Sequence, residues 1–172
     1  RINETKPSFN CPAAGAGVNK SYDKEIEAFH YQKFKMWAEE MNFCDAFGLW
    51  TGGGSISIPL SASFIGNLVH LQPGQVVLDV GSGCGHMAQW FWEWFGAQTL
   101  GLDFMSKAVE YANAHAAVKA PAQFCWMDIA SQLSTGWLPN RSVDLAIANS
   151  VLHYLRTDAE RWEVGDFWPN SG

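Results

Sequence analysis

Short apolar runs alternate along the chain, from residue 75 onward, with segments that carry apolar residues at helical spacing. The runs "VVLDV", "TLGLD", "AQFCWMD" and "VDLAIAN" are short and largely apolar, as is typical of buried strands. The segments between them include "HMAQWFWEWFGA" and "SKAVEYANAHAAV", which have the length and spacing of helices. Because strands alternate with helices, the sequence predicts an α/β fold with a parallel sheet and right-handed crossovers.

The pattern differs ahead of this core. Residues 1–20 carry proline, glycine and asparagine without a regular period, so we expect a mobile N-terminal arm. From Ser21 the apolar residues recur at helical spacing, and three consecutive glycines, Gly52–Gly54, then mark a loop or hinge. Residues 21–74 are therefore predicted to form a helical extension that could cover a bound substrate. Residues 75–172 are predicted to form the core that holds the ligand.

Composition and charge narrow the possible partners. The chain has 172 residues, of which 48% are hydrophobic, and this suits a single globular domain. Its net charge of -6 and its lack of a basic stripe weigh against a nucleic-acid partner. No apolar run approaches the roughly 18 residues that cross a bilayer, so we expect a soluble, cytoplasmic protein without a membrane partner. Because the sequence starts at Arg1, a removed targeting segment remains compatible with it.

The four cysteines are scattered along the chain: Cys11, Cys44, Cys84 and Cys125. None forms a C-x-x-C pair, so we expect neither a metal site nor a redox dithiol, and we interpret the four as free buried thiols. Three tripeptides, which begin at Asn3, Asn19 and Asn140, fit the glycosylation pattern, and this would matter only in a secretory compartment.

A turn with three glycines follows the first strand of the core, in "VVLDVGSGCGHMA". Gly81, Gly83 and Gly85 allow a sharp turn and a close approach of the backbone to a ligand at the carboxyl end of the strand. The dinucleotide pattern G-x-G-x-x-G would require its third glycine at the position of His86. The spacing is instead G-x-G-x-G, and Asp79 precedes it by two residues.

This turn resembles motif I of the class I S-adenosylmethionine-dependent methyltransferases, and the resemblance extends over the core to about Leu155. It implies a Rossmann-like, doubly wound parallel sheet and S-adenosyl-L-methionine as cofactor. It also implies that Gly81, Gly83 and Gly85 form the cofactor loop, while Asp79 balances the charge of the ligand's ammonium group.

Later strands carry further elements of the resemblance. In "LGLDFMS" it places Asp103 on the two ribose hydroxyls and Phe104 against adenine. In "FCWMDIAS" it places Asp128 on the adenine amino group, with the Ile129 backbone beside the ring. The fourth strand, "VDLAIANSVLHYL", resembles motif IV of small-molecule methyltransferases of the ubiquinone-biosynthesis type, with the Asn149 backbone near the methionine end of the cofactor.

Several of these residues have a second interpretation. Asp103, Asp128 and Asn149 each follow a strand, where such residues often cap the next helix. His153 lies just past the fourth strand and is a candidate general base, because its unperturbed pKa near about 6.5 suits proton abstraction. A histidine that is merely hydrogen-bonded within a helix is the alternative for this position.

The predicted function is methyl transfer to a small-molecule acceptor. Enzymes of the family that methylate nucleic-acid bases usually carry Pro-Pro-aromatic after the fourth strand, whereas this chain has "ANSV". About two dozen residues follow that strand, too few for the family's seven strands, so we expect its C-terminal strands to be missing. The chain is then a fragment, or a homo-oligomer or partner chain completes its sheet, or it no longer catalyses. A binding or regulatory module without catalysis and a nicotinamide-dependent oxidoreductase are the alternatives.

Overall fold

The structure is a computed structural model, and it describes residues 9–20, 24–25, 28, 44–45, 57–132, 135–139 and 141–149. The main helices and strands of these residues are, in chain order, α1 (Ser57–Leu68), β1 (Val76–Val80), α2 (His86–Phe95), β2 (Gln98–Asp103), α3 (Ser106–Tyr111), a π-helical turn (Ala112–Ala116), α4 (Ala117–Lys119), β3 (Ala122–Trp126), α5 (Ile129–Gln132) and β4 (Leu145–Ile147).

The four strands form one parallel sheet in the order β3-β2-β1-β4. In the register of β1 and β2, Val76 lies opposite Gln98 and Val80 opposite Leu102. The chain moves from β1 outward to β3 and then returns to the other side of β1. This reversal of strand order beside β1 is the place where open α/β sheets bind ligands. The predicted α/β fold with a Rossmann-like parallel sheet is confirmed.

Successive residues of each strand face opposite sides of the sheet, and both sides are covered. Val77 packs with α1 and α2, in a cluster that includes Ala62, Met87 and Phe91. Leu78 faces the other side, in a cluster with Leu100 of β2 and Cys125 of β3. Because both faces are buried, each strand is apolar almost throughout, which explains why the strands read as continuous apolar runs.

Helix α2 has a glycine just outside each end. Gly85 precedes it with φ 75° and Gly96 follows it with φ 65°, both in the left-handed region that favours glycine. The N–H of Gly96 donates to the carbonyl of Trp92 at 2.8 Å, which satisfies one of the last helical carbonyls. The helix buries Met87 and Phe91 against the sheet. The glycines therefore fix where this helix starts and ends.

The first described residues lie along β3. The side-chain amide of Gln123 donates to the carbonyl of Phe9 at 2.8 Å and accepts from its N–H at 3.0 Å. Farther along, the N–H of Gly15 donates to the carbonyl of Trp126 at 2.8 Å, and Ala16 forms a parallel bridge with Met127. Phe9, Gly15 and Ala16 thus make hydrogen bonds with β3 and the residue after it, while a mobile arm over residues 1–20 stays a prediction. Backbone hydrogen bonds to an edge strand leave no side-chain pattern, so composition alone did not reveal them.

Most of the predicted helical extension, including Gly52–Gly54, lies outside the described residues. The structure describes helical residues at 24–25, 28 and 44–45, and α1 (Ser57–Leu68) is the last helix before the core. His70 follows α1 with φ 53°, a left-handed conformation that is unusual for any residue except glycine. The described residues contain no helix long and apolar enough to cross a membrane.

Candidate functional site

The loop between β1 and α2 is held to the end of β2 by its own backbone. The N–H groups of Gly81 and Ser82 both donate to the carbonyl of Leu102, at 2.8 and 3.0 Å. The N–H of Gly83 donates to Oδ2 of Asp103 at 2.7 Å. Gly81 and Gly83 have φ of 72° and 52°. Glycine is thus required here by conformation, and the loop lies directly beside the last residue of β2.

Two glycines make room for the ring of Phe124, which lies beneath the loop. A Cβ at Gly85 would come within 2.7 Å of Cζ of Phe124 and 2.9 Å of the Ala116 methyl. A Cβ at Gly101 would come within 2.2 Å of Cδ1 of the same ring and 2.8 Å of the Ser82 hydroxyl. Any side chain at either position would displace the ring or the loop. Sequence reasoning missed this support by Phe124, because no motif marks it.

Asp103 joins the glycine loop to the loop after β2. Its Oδ2 accepts from Gly83 and its Oδ1 accepts from the N–H of Met105 at 2.8 Å. The side chain is 9% exposed. A carboxylate has two oxygens and about four lone-pair sites, a chemistry that suits two neighbouring hydroxyl groups of a ligand.

Asp79 is a second carboxylate at this edge of the sheet. It is 3% exposed, and burial, with the charge of Asp103 as the second cause, raises its pKa from 3.8 to about 7. Neither oxygen of Asp79 accepts a hydrogen bond from the part of the chain that the structure describes. A negative charge at Asp79 therefore lacks a counter-charge there, and a cationic group would stabilise it.

The end of β3 holds Asp128 and Ile129. Oδ1 of Asp128 accepts from the N–H of Ala130 at 3.1 Å, so this residue caps α5, as its second interpretation predicted. Its own N–H donates to the carbonyl of Ala16 at 3.0 Å. Ile129 is buried in the core cluster beneath. An acid in this position can cap a helix and also accept hydrogen bonds from a ligand, because a carboxylate has about four lone-pair sites.

The structure brings most of the predicted site residues to one edge of the sheet. Phe104 is half-buried beyond β2, where its carbonyl accepts from Nε1 of Trp126 at 2.9 Å. Asn149 is exposed after β4, and its Nδ2 lies 3.9 Å from the sulfur of Met87 at the start of α2. His153 lies outside the described residues and stays a prediction.

The interpretation of the cysteines as free thiols is wrong. Cys44 pairs with Cys84, with Cα atoms 5.7 Å apart, and Cys11 pairs with Cys125, with Cα atoms 5.6 Å apart. The partners are separated by 40 and 114 residues, so only the fold brings them together. The one available signal was the even number of cysteines, which by itself does not give a pairing.

A cavity of about 420 Å³ lies against the glycine loop, where Cys84, Gly85 and His86 line it. Nε2 of His86 is 3.0 Å from the carbonyl of Cys44, and burial lowers the pKa of this imidazole. The hydroxyl of Tyr111 donates to Asp45 across the cavity, and the pKa of Tyr111 is raised to about 12, first by burial and then by Asp45. Among the described residues, no three acidic, histidine or cysteine side chains are grouped to hold a metal ion.

Comparison with known proteins gives one family and many similar folds. The family model described as "Methyltransferase domain" matches residues 77–164. DesVI from Streptomyces venezuelae aligns with a TM-score of 0.55 and 22% identity, over 70% of this chain and 49% of its own. YcgJ from Bacillus subtilis aligns with a TM-score of 0.50 and 25% identity, over 61% of this chain and 44% of its own.

A third structure, from Methanococcus maripaludis, is described as an S-adenosyl-L-methionine-dependent methyltransferase. It aligns with a TM-score of 0.50 and 19% identity, over 92% of this chain and 61% of its own. This chain thus spans between 44% and 61% of the length of these three proteins. No sequence among the curated proteins matches significantly.

Proposed function

Since the chain belongs to the methyltransferase domain family, we propose that it binds S-adenosyl-L-methionine and transfers the methyl group to a small-molecule acceptor. The observation that carries the proposal is the buried carboxylate of Asp79 beside Asp103 and the glycine loop. A ligand with an ammonium group, a sulfonium group and two adjacent ribose hydroxyls fits this arrangement. A pyrophosphate would instead place negative charge beside two carboxylates.

Three groups of residues would hold the cofactor. Asp103 accepts hydrogen bonds from the ribose hydroxyls, and Asp79 balances the charge of the ammonium group. The backbone of Gly81, Gly83 and Gly85 forms the loop that the methionine part passes. The adenine is held by Phe104, Asp128 and the Ile129 backbone, and the Asn149 backbone lies toward the methionine end of the cofactor. This assignment follows the family resemblance, and the position of these residues at one edge of the sheet supports it.

Methyl transfer requires mainly that the methyl group and the acceptor are aligned and that water is excluded from the site. When bound, S-adenosyl-L-methionine supplies an electrophilic methyl group on a sulfonium leaving group. The glycine loop and the two carboxylates fix the position of this methyl group, and alignment of this kind can contribute roughly 7–11 kcal/mol toward the barrier. For an acceptor that starts protonated, His153 is the proposed base.

The class of acceptor is proposed from charge and sequence. A net charge of -6 and the "ANSV" sequence at Asn149 favour a small molecule over a nucleic acid. A partner chain or a second copy would extend the sheet beside β4. The cytoplasmic location stays a prediction, and the two disulfides weigh against it, because disulfides persist mainly in oxidising compartments.

Calorimetric titration with S-adenosylhomocysteine, S-adenosylmethionine and NAD tests the proposal. We expect the two adenosyl ligands to bind and NAD not to bind. Asp103→Ala should bind the adenosyl ligands roughly tenfold or more weakly, because it removes hydrogen bonds to a charged acceptor. Glu93→Ala, which removes an exposed carboxylate of α2, is the matched control. Binding of NAD alone would indicate an oxidoreductase, and unchanged affinity in Asp103→Ala would contradict the placement of the ribose.

Transfer of a labelled methyl group to a panel of small amines, phenols and carboxylates tests the second half of the proposal. Turnover that depends on the protein supports the enzyme. Binding of the cofactor without transfer to any acceptor would favour a binding module that has kept the fold.

A further inference from the structure

We propose that the disulfide between Cys44 and Cys84 positions the cofactor loop, so that the oxidised chain binds the cofactor tightly and the chain with two thiols binds it weakly. This inference rests on the proposed function, because it concerns the same cofactor site. It adds a covalent attachment that the family motif does not contain.

Cys84 lies within the glycine loop itself. It stands between Gly83 and Gly85, which have φ of 52° and 75°. Glycine backbones lose more conformational freedom on ordering than any other residue, so this loop needs attachments to hold one conformation. One attachment is the hydrogen bond that Asp103 accepts from the N–H of Gly83 at 2.7 Å. The Cys84 side chain supplies a second, covalent attachment through its bond to Cys44, and the residue lines the cavity.

Cys44 is itself attached to the helices around this loop. Its carbonyl lies 3.0 Å from Nε2 of His86, the first residue of α2, and the next residue, Asp45, accepts from the hydroxyl of Tyr111 at the end of α3. Cys44 and Cys84 are only 2% and 1% exposed. The disulfide therefore joins the loop to a second buried point that α2 and α3 hold in place.

Loss of the covalent bond leaves the loop with its hydrogen bonds alone. If the loop then occupies its cofactor-binding conformation about a tenth of the time, the apparent dissociation constant of the cofactor rises about tenfold. The other disulfide differs in this respect. Without the Cys11–Cys125 disulfide, residues 9–17 still keep several hydrogen bonds to Gln123 and to the end of β3. Cleavage of that disulfide alone is therefore expected to change the affinity for the cofactor by less than about twofold.

The redox step is a thiol–disulfide exchange. A dithiol reductant gives two electrons and two protons to the Cys44–Cys84 disulfide, which becomes two thiols while the reductant becomes a disulfide. Cys84 lines the cavity of about 420 Å³, but both half-cystines are almost fully buried, so exchange requires a local opening around the bond.

The experiment compares the full chain with two single variants, each titrated with S-adenosylhomocysteine before and after incubation with dithiothreitol. Cys44→Ser opens the attachment without changing the loop sequence, and Cys11→Ser is the matched control that opens the other disulfide. Mass spectrometry counts the thiols, and circular dichroism checks the fold of each sample. Hydrogen exchange of residues 81–85 reports on the loop directly, and reoxidation tests whether the affinity returns.

We expect the oxidised chain and oxidised Cys11→Ser to bind alike, and both to lose roughly tenfold in affinity when reduced. Cys44→Ser should bind weakly with or without reductant, with faster exchange in the loop. If Cys44→Ser does not fold, reduction of Cys11→Ser still isolates the Cys44–Cys84 bond. Equal affinity before and after its reduction would overturn the inference and leave the proposed function intact. Absence of binding by the oxidised chain would remove the proposed function and the inference with it.

Discussion

Substitution of Asp79 by Asn should make the protein more stable at neutral pH. At pH well below 3.8, Asp79 is protonated in both the folded and the unfolded chain, because its unfolded pKa is 3.8. Between that value and the raised pKa of about 7, the folded chain keeps a proton that the unfolded chain has lost. The unfolded state binds fewer protons in this window, so the free energy of unfolding falls as the pH rises.

The magnitude follows from the two pKa values. They lie roughly three pH units apart, and each unit corresponds to about 1.36 kcal/mol, so the charged carboxylate costs about 4 kcal/mol above pH 7. Asn has nearly the same shape and no charge, so Asp79→Asn removes this cost. The gain should be largest at pH 8 and should fall below about 1 kcal/mol at pH 4.

Urea unfolding followed by tryptophan fluorescence at pH 4, 5.5 and 8 measures this difference. Glu93→Gln, which makes the same chemical change at an exposed position of α2, is the control. The reasoning is refuted if Asp79→Asn is no more stable than the natural sequence at pH 8, or if its advantage does not grow with pH. The same variant should bind S-adenosylhomocysteine more weakly, because the ammonium group loses its counter-charge.

Two further predictions concern backbone conformation. Gly85→Ala should lower the free energy of unfolding by about 3 kcal/mol and impair cofactor binding, since its Cβ meets Phe124 at 2.7 Å and its φ is 75°. Gly74→Ala, at φ 86° with no atom within 4 Å, should cost only about 1 kcal/mol, and equal losses in the two variants would contradict the steric argument. His70→Gly relieves a φ of 53° after α1 and should raise the free energy of unfolding by about 0.5–1 kcal/mol in urea titration, whereas a loss would contradict strain there.

The sequence predicted the sheet because its signal is local and periodic. Each strand is buried on both faces, so it appears as an apolar run, and the helices between them keep their own spacing. The glycine turn was predictable for a related reason: Gly81, Gly83 and Gly85 all have positive φ, a conformation that few other residues adopt. The position of Asp103 beside the glycine turn was predictable because the carboxyl ends of neighbouring parallel strands lie at the same edge of the sheet.

The remaining features depend on contacts between distant parts of the chain. Cys11 and Cys125 are 114 residues apart, and no spacing rule connects them. The hydrogen bonds of Gly15 and Ala16 to the end of β3 use backbone atoms, which every residue has. Asp128 shows a different limit, since an acid after a strand can cap a helix, bind a ligand or do both, and the sequence does not separate these roles.

The segment alongside β3 also bears on how many copies of the chain can associate through their sheets. β3 and β4 are the outer strands, and Ala16 already pairs with Met127 at the end of β3. In the part of the chain that the structure describes, the unpaired side of β4 is then the side on which another strand can add. Two such sides can pair with each other about a twofold axis, and the association stops there. A sheet with two open edges could instead grow without limit, and the hydrogen bonds of Gly15 and Ala16 at the end of β3 oppose such growth on that side.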